Sequence, residues 1–184
     1  MTEKEKMLQG IIYNANYDEE LLRERQLCKE LCVTYNHLEY SKTDERKAVL
    51  SKILPYMGVN VTIEPNFYCD YGYNIKIGDN FYINHNSVFL DEAEISFGDN
   101  VFIGPNCGFF TASHPFDVEQ RNQGLETAKP IYVGNNVWIG GNVCVLGGVK
   151  IGNNSIIGAG SVVARDIPNN VIAVGNPCRV IKQL

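Results

Sequence analysis

Three histidines are present in the 184 residues, and one of them stands where it could do chemistry. His114 lies in Ser113-His114-Pro115, where a regular pattern in the chain breaks off. A side chain that titrates near neutrality is the natural base for taking a proton from an alcohol. His37 falls in a helical stretch and reads as structural. His85 follows Asn84 and reads as a surface or interface residue. Charge is also unevenly placed. From Val61 to Val149 there are ten acids against Lys76, Arg121 and Lys129, a region suited to hydroxyls or cations. Beyond it come Lys150, Arg165, Arg179 and Lys182 with only Asp166 opposing them. That late cluster suits a multiply charged anion such as the phosphates of a nucleotide cofactor.

The pattern that must position these residues is a repeat of six. Val133, Ile139, Val145, Ile151, Ile157 and Val163 are aliphatic at every sixth place. Four places after each of the first five stand Val137, Val143, Val149, Ser155 and Ser161, all small or slim. Gly, Asn and Ala fill the positions between, and Gly and Asn tolerate the positive φ of tight corners. A period of six fits neither the 3.6 of a helix nor the 2 of a strand. It fits a chain wound into a triangular tube with three six-residue sides to a coil.

The register runs back through Phe97, Ile103 and Phe109 and through Ile77, Ile83 and Phe89, with Ile63 and Cys69 as a ragged first turn. Residues 111–130 interrupt it. That stretch is polar, holds Gly124 and Pro130, and predicts a long excursion loop, a feature usually functional in a compact domain.

Residues 1–60 are different material and predict a helical N-terminal cap, leaving 61–184 as the β-helix domain. Asn16-Tyr17-Asp18-Glu19 resembles a capping box ahead of a helix carrying Leu21, Leu22, Cys28, Leu31, Cys32 and Tyr35. A second helix is expected over Asp44 to Met57 with Thr43 as cap. Capping the tube would protect its open edges from aggregation.

The net charge of −5 argues against nucleic acid as a partner. No apolar run reaches the length of a membrane span, and no signal peptide is visible at the start. Six cysteines without C-x-x-C spacing read as free thiols, which fits a cytoplasmic protein.

The segments TEKEKMLQG, IEPNFYCDYGYNIKIGDNFY, TASHPFD, IYVGNNVWIGG and VGNPCRVIK resemble the hexapeptide-repeat sugar O-acetyltransferases, the maltose and galactoside family, over essentially the whole length. The resemblance implies an all-β solenoid, a left-handed parallel β-helix, assembled as a homotrimer with active sites between subunits. It implies acetyl-CoA as co-substrate and a small sugar as acceptor, and no metal is expected. On this pattern His114 is the catalytic base, and Asp70, Asn84, Asp91 and Glu92 form the acceptor site. Asn84, Gly141, Ala159, Ala164, Arg165, Arg179 and Lys182 fall on the acetyl-CoA side. The Asn84 amide or a coil N–H is the candidate donor to the oxyanion. An N-terminal acceptor contact falls within residues 14–18. His85 stands where the family usually has Phe, and Ala164 where threonine is common. Asp70 replaces the serine of galactoside enzymes, which points toward maltose or glucose.

Trp138 precedes the inward Ile139, so alternation turns it outward, toward a neighbouring subunit or the cofactor. Cys107 and Cys144 could in principle carry an acetyl group, but Cys107 lies in the inward slim register, where a thiol is inert. Three other readings use the same scaffold: an acyltransferase with a non-sugar acceptor, a zinc-dependent carbonic-anhydrase-like trimer, and a non-catalytic trimer. Zinc would need roughly three histidine ligands, and only His85 and His114 lie on the coil.

Overall fold

The computed structural model describes all 184 residues. After the cap, the chain winds through three parallel ladders, one for each side of a triangular solenoid. One side stacks Phe67–Cys69, Ser87–Leu90, Gly108–Phe110, Cys144–Leu146 and Val162–Val163. A second runs from Tyr56–Met57 through Ile75–Ile77, Ile95–Phe97 and Ile131–Val133 to Lys150–Ile151. The third begins at Thr62–Ile63, continues through Tyr82–Ile83, Phe102–Ile103, Trp138–Ile139 and Ile156–Ile157, and ends at Val171–Val174. Arg179–Gln183 folds back antiparallel on Val171–Val174 and closes that end.

The repeat of six becomes the core. Ile139, Val145, Ile157 and Val163 show no exposure, and the slim Ser155 and Ser161 are equally enclosed. Larger rings fill the earlier coils. Phe89 meets Phe67 and Phe109 edge-on at centroid separations of 5.3 and 4.8 Å, pairs worth ~1 kcal/mol each beyond buried area. The corners are asparagines in the left-handed conformation, which Asn tolerates better than other side chains. Their amides form a ladder along one edge, Asn60 to Asn80, Asn100, Asn136, Asn154 and Asn170, with contacts of 2.9–3.2 Å.

The cap contains three helices, α1 (Glu3–Leu8), α2 (Glu19–His37) and α3 (Thr43–Ile53). The N-cap of α2 is Asp18, whose carboxylate accepts from the Leu21 N–H, and not Asn16. The capping box belongs to α1, between Thr2 and Glu5. Helix α3 stops at Ile53, short of the expected Met57, because Pro55 forbids helix in the residue before it. Met57 instead joins the first rung of the second side, pairing with Ile77. Thr43 is the first helical residue, and Lys42 ahead of it makes no side-chain cap. The edge of the solenoid is covered as expected. The Asn36 side-chain amide donates to the Phe67 carbonyl and accepts from its N–H, both at 2.9 Å, as a neighbouring strand would.

Candidate active site

The excursion is an antiparallel hairpin. Ala112–Ser113 pairs with Leu125–Ala128, matching Ala112 to Ala128 and Ser113 to Thr127. A short helix, α4 (Val118–Asn122), caps its tip. The cap supplies a third strand, Tyr13–Asn14, paired to Glu126 and Leu125. Tyr13 Oη donates to Glu126 Oε2 at 2.9 Å, so the N-terminal segment and the hairpin are tied together. At the hairpin's base the Thr111 hydroxyl donates to the Leu90 carbonyl at 2.7 Å and accepts from the Ala93 N–H at 3.0 Å.

His114 follows the first hairpin strand, and its Nδ1 lies 3.4 Å from the Leu125 carbonyl oxygen. A carbonyl only accepts, so Nδ1 carries the hydrogen and the Nε2 lone pair is left available. The ring lines a cavity of about 430 Å³ with Ser113, Phe116, Thr127, Lys129 and Leu146. Phe116 beside it is 98% exposed, an unusual position for a phenylalanine.

The acidic residues form a separate cluster joined to the hairpin through Thr111. Asp91 has no exposure, and its carboxylate accepts from the N–H groups of Asp70, Tyr71 and Gly72 at 2.7–2.9 Å. Burial pushes its pKa up to about 7 against the pull of those three donors. Glu92, also buried, is pushed up to about 9 by burial and by the neighbouring Asp70. With its pKa near 9, Glu92 is protonated at neutral pH. Asp70 in turn faces Lys29 Nζ at 3.1 Å. Arg25 on the same helix donates to Tyr71 Oη at 2.9 Å, so α2 supplies both cations of this cluster.

Farther along the solenoid, Ala159, Ala164, Arg165, Arg179 and Lys182 are exposed, and Gly141 is half-buried. The backbone N–H of Gly141 makes no hydrogen bond within the chain, although its neighbours Gly140 and Asn142 donate to Ile157 and Pro105. Packing around it is close. A Cβ on Gly104 would come within 2.5 Å of the Gly141 nitrogen. Trp138 is 58% exposed, with Phe102 and Ile156 in register on either side.

Residues 6–58 match the family described as the maltose acetyltransferase hexapeptide capping motif, and residues 130–165 match the bacterial transferase hexapeptide of six repeats. A Saccharomyces cerevisiae protein, provisionally named an acetyltransferase, is 54% identical over 98% of this chain and 92% of its own. A maltose O-acetyltransferase from Clostridium difficile 630 superposes with a TM-score of 0.94 at 48% identity, covering 100% of this chain and 98% of that one. A galactoside acetyltransferase in complex with coenzyme A also gives 0.94, at 41% identity over 100% of this chain and 91% of the other. The chain belongs to the hexapeptide-repeat acetyltransferases.

For a member of that family, the single chain distributes its expected site residues unevenly. Asp70, Glu92 and the His114 hairpin are linked through Thr111, whose hydroxyl lies 3.5 Å from Glu92 Oε2. Asn84, Gly141, Arg165, Arg179 and Lys182 do not line the His114 cavity. The surroundings of two expected site residues narrow what each can do. Asp91 is fully enclosed, and its carboxylate accepts from three backbone donors in the loop that carries Asp70. The Asn84 backbone N–H donates to Ile103 at 3.0 Å, so it is not free for an oxyanion. Its side-chain oxygen accepts from the His85 N–H at 2.7 Å, which leaves the side-chain NH₂ as its available donor. The sequence alone assigns no role to Thr111, Tyr13, Glu126 or Leu125. Of these only Thr111, the first residue after the repeat breaks, carried any local signal.

Proposed function

We propose that this protein transfers the acetyl group of acetyl-CoA directly to a hydroxyl of a sugar acceptor, with His114 as general base. His114 Nε2 removes the hydroxyl proton as the oxygen attacks the thioester carbonyl carbon. The carbonyl oxygen becomes an oxyanion, for which the unpartnered Gly141 N–H and the Asn84 side-chain amide are the candidate donors. Collapse expels the coenzyme thiolate, which takes the proton back from the imidazolium. Asp70 and Glu92, adjacent to each other and reached from the hairpin through Thr111, are the candidate contacts to sugar hydroxyls. The exposed Arg165, Arg179 and Lys182 suit the phosphates of the coenzyme.

The observation that carries this reading is the orientation of His114: its Nδ1 is held by the Leu125 carbonyl, and the ring opens on a cavity large enough for a sugar. The names of the maltose and galactoside relatives, one of them bound to coenzyme A, support the donor and the acceptor class.

A homotrimer is part of the proposal. The half-site around His114 lacks the cofactor-side residues, Phe116 is left uncovered, and Phe102, Trp138 and Ile156 form an apolar outward stripe. A neighbouring subunit would cover the stripe and complete the site. Purified protein given acetyl-CoA and a panel of glucosides, maltosides and galactosides should release free thiol in proportion to acetylated sugar. Absence of turnover with every sugar, alongside turnover with a non-sugar alcohol, would overturn the acceptor assignment.

A further inference from the structure

Three cysteines converge away from the site just described. Cys28 and Cys32 are one helical turn apart on the buried face of α2, and Cys69 ends the strand that α2 covers. Their sulfurs all lie within 4.8 Å of one another. Cys28 Sγ is 3.5 Å from Cys69 Sγ, and Cys32 Sγ is 3.9 Å from it. None of the three forms a disulfide, and none is more than 5% exposed.

We infer that Cys28, Cys32 and Cys69 form a three-sulfur binding site for a soft monovalent metal ion, copper(I). A point equidistant from sulfurs spaced in this way lies about one metal–thiolate bond length, ~2.3 Å, from each. The donor set selects among ions. No fourth histidine, cysteine or carboxylate joins the group. Asp70, next in sequence to Cys69, is turned to Lys29 instead. Structural zinc is almost always four-coordinate, and calcium and magnesium require oxygen, so a three-thiolate pocket suits copper(I) best. Binding displaces the thiol protons to solvent and needs no change in oxidation state.

Access exists from two sides. A depression of about 330 Å³ lined by Lys29, Val33 and Tyr68 reaches Cys69. Another of about 190 Å³ between Leu27, Leu31 and Tyr71 reaches Cys28. An ion held here would bind α2 to the solenoid beside Asp70, independently of the acetyl-transfer reading.

The test uses reduced full-length protein under anaerobic conditions, with copper(I) supplied as its coloured bathocuproine disulfonate complex. The protein should withdraw one equivalent per chain, give a sulfur-only first shell by X-ray absorption, and unfold at a higher temperature when loaded. Cys28→Ala/Cys32→Ala should lose at least ~10²-fold in affinity, since even outer-sphere changes at metal sites cost 10–100-fold. Circular dichroism and a cooperative urea unfolding transition report whether that variant is folded. Cys107→Ala/Cys144→Ala/Cys178→Ala should bind as the parent does. Failure of the parent to withdraw copper, nitrogen or oxygen in its first shell, or equal binding by the folded double variant would each overturn the assignment. The absorption measurement on the parent decides the matter even if the variants unfold.

Discussion

His114 and Leu125 face each other across the base of the excursion hairpin, with the histidine Nδ1 3.4 Å from the leucine carbonyl. The carbonyl belongs to a strand whose other neighbour is Tyr13–Asn14, so the base is oriented through the N-terminal cap. Tyr13→Phe should therefore be felt at the active site. It removes the 2.9 Å bond to Glu126 and should cost ~1 kcal/mol of stability. A several-fold drop in kcat with little change in the KM for acetyl-CoA is expected. Steady-state kinetics and urea unfolding measure the two effects separately.

The raised pKa of the enclosed Glu92 gives stability a recognisable pH dependence. The folded pKa of Glu92 is raised from 4.5 to about 9, so between those values the folded chain holds a proton that the unfolded chain has lost. Stability contributed by this group is full below about 4.5 and falls as pH rises toward about 9. The slope approaches ~1.4 kcal/mol per pH unit. Glu92→Gln should weaken the dependence over that window and nearly abolish it above about pH 7, where the raised Asp91 no longer contributes. Urea midpoints taken at intervals across it provide the check, and parallel curves for parent and variant would contradict a raised Glu92 pKa.

Close packing beneath the Gly141 N–H makes Gly104 a sensitive position. The methyl of Gly104→Ala would come within 2.5 Å of the Gly141 nitrogen, so that corner must shift. The expected result is a ~10-fold or greater fall in kcat, because an oxyanion donor displaced from its target loses much of its effect. Gly160→Ala serves as a comparison for backbone strain alone: Gly160 has φ +73° and no atom within 4 Å of its Cβ position. It should lose stability with a smaller loss of kcat.

Legibility in the sequence followed the range of the forces involved. Ile139, Val145 and Ile157 declared the solenoid, because each coil repeats the same local requirement for an apolar side chain every six residues. Asn100, Asn136 and Asn154 marked the corners for the same reason. Tyr13–Asn14 was not legible as a strand. Two residues carry no periodicity, and their partner lies 113 positions away at Glu126. The excursion could be located but not folded, since neither its two-residue first strand, Ala112–Ser113, nor the distant strand on its other edge carries a periodicity. Asp91 shows the opposite difficulty. The family resemblance implied a ligand contact there, and only the folded structure shows three backbone amides donating to its carboxylate.

Trp138 reports on the cofactor arm without any substitution, being the only tryptophan. At 58% exposure in the single chain it is accessible to a neighbouring subunit or to acetyl-CoA. Titration with acetyl-CoA should quench or shift its emission in a saturable way. An unchanged spectrum at saturating cofactor would assign the side chain to the subunit contact alone.

The central claim is direct transfer with His114 as base, and the kinetics of His114→Ala test it most directly. The variant should retain the parent's oligomeric state and bind acetyl-CoA with unchanged affinity. Its turnover should fall by at least ~10²-fold, the scale expected for loss of a general base. Initial-rate plots for the parent, with acetyl-CoA varied at several fixed sugar concentrations, should intersect. Near-parent turnover in His114→Ala, or parallel lines reporting an acetylated enzyme, would contradict it.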